Sequence, residues 1–365
     1  MSIFSHIKKI FQTNTTRGMQ LDKELMSRET LLYPTALFTP YNPDTLASRK
    51  GGLRIYDKIR RDDTVKGCMN LRKFAVLCSG WVVEPASDDE ADIEVAEFVK
   101  YNLEGVKGTF EDVLLNIMTA FDYGFSVSEK VYTLLPDTEP YGGKVGVKAI
   151  KTRKPHGVDF DVDEFGNLRE NGVWQGFGAR KLPPSKFIIY TYRKEFDNWY
   201  GVSDLREAYR AWWSKDVIIK LYNIYLERYS MPPAVGTLKK ALTKNERTTL
   251  KDILDNLQAR TSIVLPDGVE LNFPEVSGRG ASTYKDAIAV HDMAIARSLL
   301  IPNLLGVSEQ GHYGSYSQGK VHFDVFLQIV DKHRRDLEEV LNEQLIRELV
   351  SFNYAVDKYP KFKFR

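Results

Sequence analysis

From Ser203 to Tyr229 the chain runs without a glycine or a proline. At 1.5 Å per residue such a stretch makes a helix ~40 Å long. Met231-Pro232-Pro233 ends it, because proline cannot donate to the helical ladder. A second stretch, Gln318 to Phe352, predicts a helix of ~50 Å at the same rise. Between them the pattern gives a helix at Lys244–Arg260, a strand at Ser262–Leu265, the turn Pro266-Asp267-Gly268 and a strand at Val269–Phe273. A helix at about Ala281–Leu300 follows, closed by Pro302, and then the loop Gly306–Tyr316. Long helices bracketing a small αββ module are a poor plan for a compact enzyme. They suit a subunit that projects part of itself away from its body.

The preceding part reads as α+β. Val65, Cys68, Leu71, Arg72, Ala75 and Val76 keep the three-and-four spacing of an amphipathic helix beginning near Asp62-Asp63. Trp81–Glu84 is a short strand ended by Pro85. Ser87 with Glu90 has capping-box spacing and predicts a helix start at Ser87. A helix from Phe110 to Tyr123 stops at Gly124. Phe125–Thr133 alternates with period two, Val158–Val162 and Asn167–Arg169 flank a hairpin turn, and Lys186–Tyr192 and Lys361–Phe364 read as strands. Residues 1–11 read as a short basic amphipathic piece and 12–52 as an irregular arm with Pro34, Pro40 and Pro43.

Composition narrows the function. The formal net charge is +2, so DNA contact through many phosphates is not announced, and any such contact is expected to be local. Cys68 and Cys78 lie in one helical stretch, too far apart to bridge, and are expected as reduced buried thiols. No cleavable signal or membrane span is expected.

Several segments, taken in order, resemble phage portal proteins, especially the Mu-type group. They are Leu53-Arg54-Ile55-Tyr56-Asp57, Trp81-Val82-Val83-Glu84-Pro85, Tyr123-Gly124-Phe125-Ser126 and Tyr200-Gly201-Val202-Ser203-Asp204. Leu226–Pro232, His291-Asp292 with Ile295–Leu300, and Gly314–His322 complete the set. The resemblance implies a portal fold: an N-terminal arm (1–52), an α/β wing (53–202), stem helix 1 (203–230), an αββ clip (231–276), stem helix 2 (277–303), a tunnel loop (304–319) and a long C-terminal wing helix with a terminal strand (320–365). Many relatives carry a further helical crown after the wing; this sequence stops at Arg365, either as a crownless form or with the crown missing.

The resemblance further implies a homo-oligomeric ring, usually of twelve copies, at one capsid vertex of a virion, assembled in the host cytoplasm. Double-stranded DNA would pass through it. A terminase motor, a head–tail connector and the major capsid or scaffold protein would be its partners. Lys285, His291 and Arg297 on stem helix 2, with Gln310, His312, Tyr313, Ser315 and Tyr316 in the loop, are the expected channel residues. Sparse charges there would let DNA slide rather than stick. Lys239, Lys240, Lys244, Arg247 and Lys251 form the densest basic cluster and the candidate docking surface.

No cofactor or metal is expected. The Gly-rich loop lacks the Gly-Lys-Ser/Thr ending of a phosphate-binding loop, and no His-Glu-x-x-His motif or Gly-x-Ser-x-Gly elbow is present. The rival readings are a metal-dependent nucleic-acid enzyme using His156 with Asp159, Asp161 and Asp163, and a ring-forming adaptor through which no DNA passes.

Overall fold

The computed structural model describes residues 52–176, 178–230, 235–238, 243–255, 269–272, 279–301 and 316–365. These fall into two compact units. The first holds 52–58, 69–206 and 329–365, and the second 59–68 and 207–328.

In chain order the elements are α1 (Arg54–Ile59), α2 (Asp63–Leu77), β1 (Trp81–Glu84), α3 (Glu90–Glu104), α4 (Phe110–Ile117) and α5 (Ala120–Tyr123). Next come β2 (Phe125–Leu134), β3 (Val145–Arg153), β4 (Val158–Val162), β5 (Leu168–Gln175), β6 (Arg180–Leu182) and β7 (Phe187–Thr191). Then follow α6 (Leu205–Ser230), β8 (Val235–Leu238), α7 (Lys244–Asp255), β9 (Val269–Asn272), α8 (Arg279–Ser298), α9 (Tyr316–Leu341), a π-helical turn (Asn342–Ile346), α10 (Arg347–Ser351) and β10 (Lys361–Phe364).

The first unit contains two three-stranded sheets, β3-β2-β7 and β4-β5-β6, and the antiparallel pair β1-β10. One core joins Phe125 and Val127 of β2, Phe187 and Ile189 of β7, Val158 and Phe160 of β4, Val173 of β5, and Tyr200. Burial of each such aliphatic or aromatic side chain contributes about 1.5–3 kcal/mol. The polar positions of β2 are covered as well. Ser126 donates to the Ile117 carbonyl at 2.7 Å, Ser128 shares a hydrogen bond with Thr152, and Lys130 donates to the Gln344 carbonyl and pairs with Glu348. Period two therefore sets which residues share a face of β2 without leaving its polar face in water.

Three carboxamides close strand edges. Gln344 accepts from the Ile189 amide at 2.7 Å and donates to the Ile189 carbonyl at 3.1 Å. Asn342 treats Phe362 of β10 in the same way, and Asn353 treats Val145 of β3. Asn342 and Gln344 both sit on the π turn.

In the second unit α6 and α8 run antiparallel. Lys215 meets Asp292 near one end, and Tyr222 and Tyr225 stack on Tyr284 toward the other, with centroids 5.5 and 5.4 Å apart. β8 and β9 pair antiparallel.

Several expectations change. Helix α3 starts after Asp89 rather than Ser87, whose hydroxyl instead donates to Asp92 at 2.5 Å. The carboxylate two residues inside the helix competes for the group that capping needs. The helix expected over Phe110–Tyr123 breaks between Ile117 and Ala120, and Gly124, at φ +90°, ends its second piece. Strands β3 and β6 were not anticipated. Cys68 is buried, and burial pushes its thiol up to about 11. Cys78, just beyond the last turn of α2, is exposed, contrary to expectation. In the expected αββ segment the described partner of β9 is β8, which precedes the helix. The strand expected at Ser262–Leu265 lies outside the described residues.

Candidate functional site

The helical second unit leaves large apolar side chains in water. Trp213, Leu221 and Ile224 of α6 are 53%, 49% and 58% exposed. At 3.6 residues per turn these positions share one face. Val290 of α8 and Phe323, Val325 and Leu327 of α9 are also exposed. Nine of the fourteen exposed large hydrophobic residues in the described chain fall between 207 and 328. Large apolar side chains gathered on an exposed helix face, as on α6, suit a contact with another macromolecule.

The same unit holds a knot of charge. The Lys215 ammonium sits 2.6 Å from Asp292, 2.9 Å from Asp63 and 3.0 Å from Asp62, and donates to the Thr64 hydroxyl at 3.1 Å. Burial alone would lower its pKa, but the three carboxylates outweigh that and raise it well above the ordinary lysine range. Lys215 thus stays charged and ties α6 to α8 and to the start of α2.

The expected channel residues do not share one face. Lys285 and Arg297 are exposed and His291 is half-buried. A spacing of six residues turns successive positions by roughly 120° around a helix, so no single face of α8 can present all three. Gln310, His312, Tyr313 and Ser315 lie outside the described residues, and Tyr316 is the first residue of α9. Of the basic cluster, Lys239 and Lys240 also lie outside the described residues. Lys244, Arg247 and Lys251 are exposed and recur at three and four residues along α7, on one face. Glu246 turns back to accept from the Thr243 amide at 2.8 Å and the Thr243 hydroxyl at 2.7 Å. It caps the start of the helix.

The acidic hairpin is occupied locally. Asp163 accepts from the amides of Phe165 and Asn167, each at 2.9 Å, and Asp161 lies 3.6 Å from Arg169. Burial raises the Asp159 pKa, and His156 lies 2.8 Å from Asp57 instead of among the three aspartates. Among the described residues no group of three His, Cys, Asp or Glu side chains has metal-binding geometry.

Sequence reasoning missed one hub of the first unit. The segments Tyr123-Gly124 and Tyr200-Gly201 cross backbone against backbone. Both glycines have positive φ, and a Cβ on either would overlap a carbonyl of the opposing segment. Around them Tyr192 donates its amide to Gly124, Ser203 its hydroxyl to the Asp122 carbonyl, and Asp204 its amide to Phe121. The Asp204 carboxylate, fully buried, pairs with Arg72 and accepts from Tyr192 at 3.1 Å, while Arg193 stands 3.3 Å away. His333 is packed against Phe121 and Tyr192. Burial, with Arg72, Arg193 and Lys332 nearby, pushes its imidazole down to about 3. The available signal was Arg72, a charge within an otherwise apolar helical pattern.

Comparison with known proteins gives a consistent result. The family described as the portal protein of Mu bacteriophage matches residues 53–365. The portal protein of Escherichia phage Mu is 24% identical over 301 residues, covering 82% of this chain and 56% of that one. The Mu-like prophage FluMu protein gp29 of Haemophilus influenzae is 25% identical, covering 84% and 59%. The chain thus spans somewhat over half the length of these curated relatives. A chain from the neck of a native GTA particle computed with C12 symmetry shares the fold, with a TM-score of 0.55, 15% identity and 87% coverage of both chains.

Proposed function

The chain belongs to the family of the Mu bacteriophage portal protein, and from that premise we propose that it forms a ring through which double-stranded DNA enters and leaves a capsid. The observation that carries this reading is the exposed apolar surface of the helical unit, centred on Trp213, Leu221 and Ile224. Neighbouring copies would cover it, and a closed ring lets every copy use the same two surfaces. A fold relative occupies a particle neck computed with C12 symmetry, which supports a ring of twelve.

Within this reading 53–202 and 320–365 form the wing, 203–230 and 277–303 the stem, 231–276 the clip and 304–319 the tunnel loop. The ring sits at a capsid vertex in the virion, contacts the major capsid or scaffold protein, and assembles in the host cytoplasm. The basic face of α7, Lys244, Arg247 and Lys251, docks an acidic surface of the terminase motor and later the head–tail connector. Lys285, His291 and Arg297, with Gln310, His312, Tyr313, Ser315 and Tyr316, meet DNA as sparse contacts. That is compatible with sliding, since each phosphate contact adds salt-dependent affinity that would slow passage. The protein performs no catalysis, and ATP hydrolysis belongs to the motor.

Native mass spectrometry with negative-stain imaging of the same sample tests the reading. Closed rings of about a dozen copies with a central hole are expected. A monodisperse monomer that stays monomeric in the presence of capsid and scaffold proteins would overturn it.

A further inference from the structure

The first unit carries a groove of about 900 Å³, bounded on one side by β7 and on another by the π turn and α10. Leu168, Pro183, Pro184, Phe187, Trp199 and Tyr359 supply its apolar lining. All but Phe187 are only half-buried, so apolar surface remains uncovered at the groove. The backbone of Ile189 on its β7 wall is already closed by Gln344. An occupant would therefore be held by side-chain packing rather than by adding a strand. Proline and aromatic walls of this kind suit an extended, proline-punctuated peptide, whose fixed backbone lowers the entropy lost on docking.

The chain contains such a peptide. Residues 31–46, LLYPTALFTPYNPDTL, carry three prolines, two aromatic tyrosines, a phenylalanine, four leucines and one charge. Prolines at 34, 40 and 43 oppose a helix and favour an extended backbone. Its position also fits. Leu53, one of the first described residues, packs on the core cluster that contains Phe187 and Ile189, as do Leu168 and Trp199. The six residues 47–52 can span roughly 20 Å when extended, enough to carry the run from that core to the groove beside it.

We infer that residues 31–46 dock in this groove of their own chain. The apolar arm is then a strap across the first unit rather than a tether to a partner.

Photocrosslinking in the full-length protein tests this, with Phe38 replaced by p-benzoylphenylalanine. The expected adducts fall on residues 168–170, 183–187 or 343–359 of the same copy. Mixing heavy- and light-isotope copies before assembly identifies the copy involved. Adducts joining heavy to light copies would give the groove to a neighbour's arm and overturn the inference. Adducts elsewhere, or none, would overturn it too. Hydrogen exchange of the unmodified protein supplies an independent readout, with amides of residues 31–46 expected to exchange more slowly than in the free peptide. Exchange at the free-peptide rate would overturn the inference even if the crosslinking variant misfolded.

Discussion

The two units differ in where their apolar and charged side chains go. In the first, charge is buried and apolar surface is mostly enclosed. Arg72, Lys73, Asp122 and Asp204 all lie inside, each in a pair, and the two sheets share one core. In the second, one lysine is bound by three carboxylates while Trp213, Leu221, Ile224 and Val290 stay in water. The first unit is complete as a single copy. The second leaves apolar side chains exposed that, on the proposed reading, neighbouring copies would cover.

Substitutions should break this contrast to different degrees. The largest expected effect is Gly124→Val or Gly201→Val, which forces a side chain into an opposing carbonyl. A loss of about 4 kcal/mol or more is expected, read as failure to recover folded protein or a collapsed Tm. Arg72→Met comes next, since it leaves the Asp204 carboxylate buried with weaker partners. The expected cost is about 3 kcal/mol in denaturant unfolding, and Asp204→Leu added to it should recover part of that loss. A double variant no more stable than the single one would show that packing, not charge, dominates the hub.

The pH response should be smaller. His333 binds its proton only near pH 3 in the folded chain but near 6.5 when unfolded. Stability is therefore full above about pH 6.5 and declines as pH falls toward 3, by about 1–2 kcal/mol at pH 5. His333→Phe should flatten that part of a Tm–pH curve. Ile224→Glu should change the unfolding free energy least, within about 0.5 kcal/mol, while abolishing rings in native mass spectrometry. If it unfolds the chain as readily as Arg72→Met does, the helical unit has a finished interior and the contrast fails.

Much of the fold was legible in sequence because its signals are local. The long glycine- and proline-free run marks α6, Gly124 marks a helix end, and the alternation after it marks β2. The strands Trp81–Glu84 and Lys361–Phe364 were both readable, though their pairing was not. What stayed hidden depends on contacts between distant segments. Nothing in Tyr200-Gly201 says that it crosses Tyr123-Gly124, and nothing in Asp62, Asp63 and Asp292 says that they share Lys215. Strand β3 escaped because its lysines obscure a pattern that only pairing with β2 makes useful. The basic face of α7 was visible as composition, whereas the capping of its helix by Glu246 was not.

The carboxamides of Asn342, Gln344 and Asn353 each take the donor and the acceptor of one strand residue. An unpaired strand edge is adhesive toward any other chain that can extend itself beside it. Identical subunits crowded around an axis would offer one another such edges constantly. Here one residue on each of β3, β7 and β10 is closed by a side chain of the same molecule, so in the proposed ring those points would not be open to a neighbour's strand.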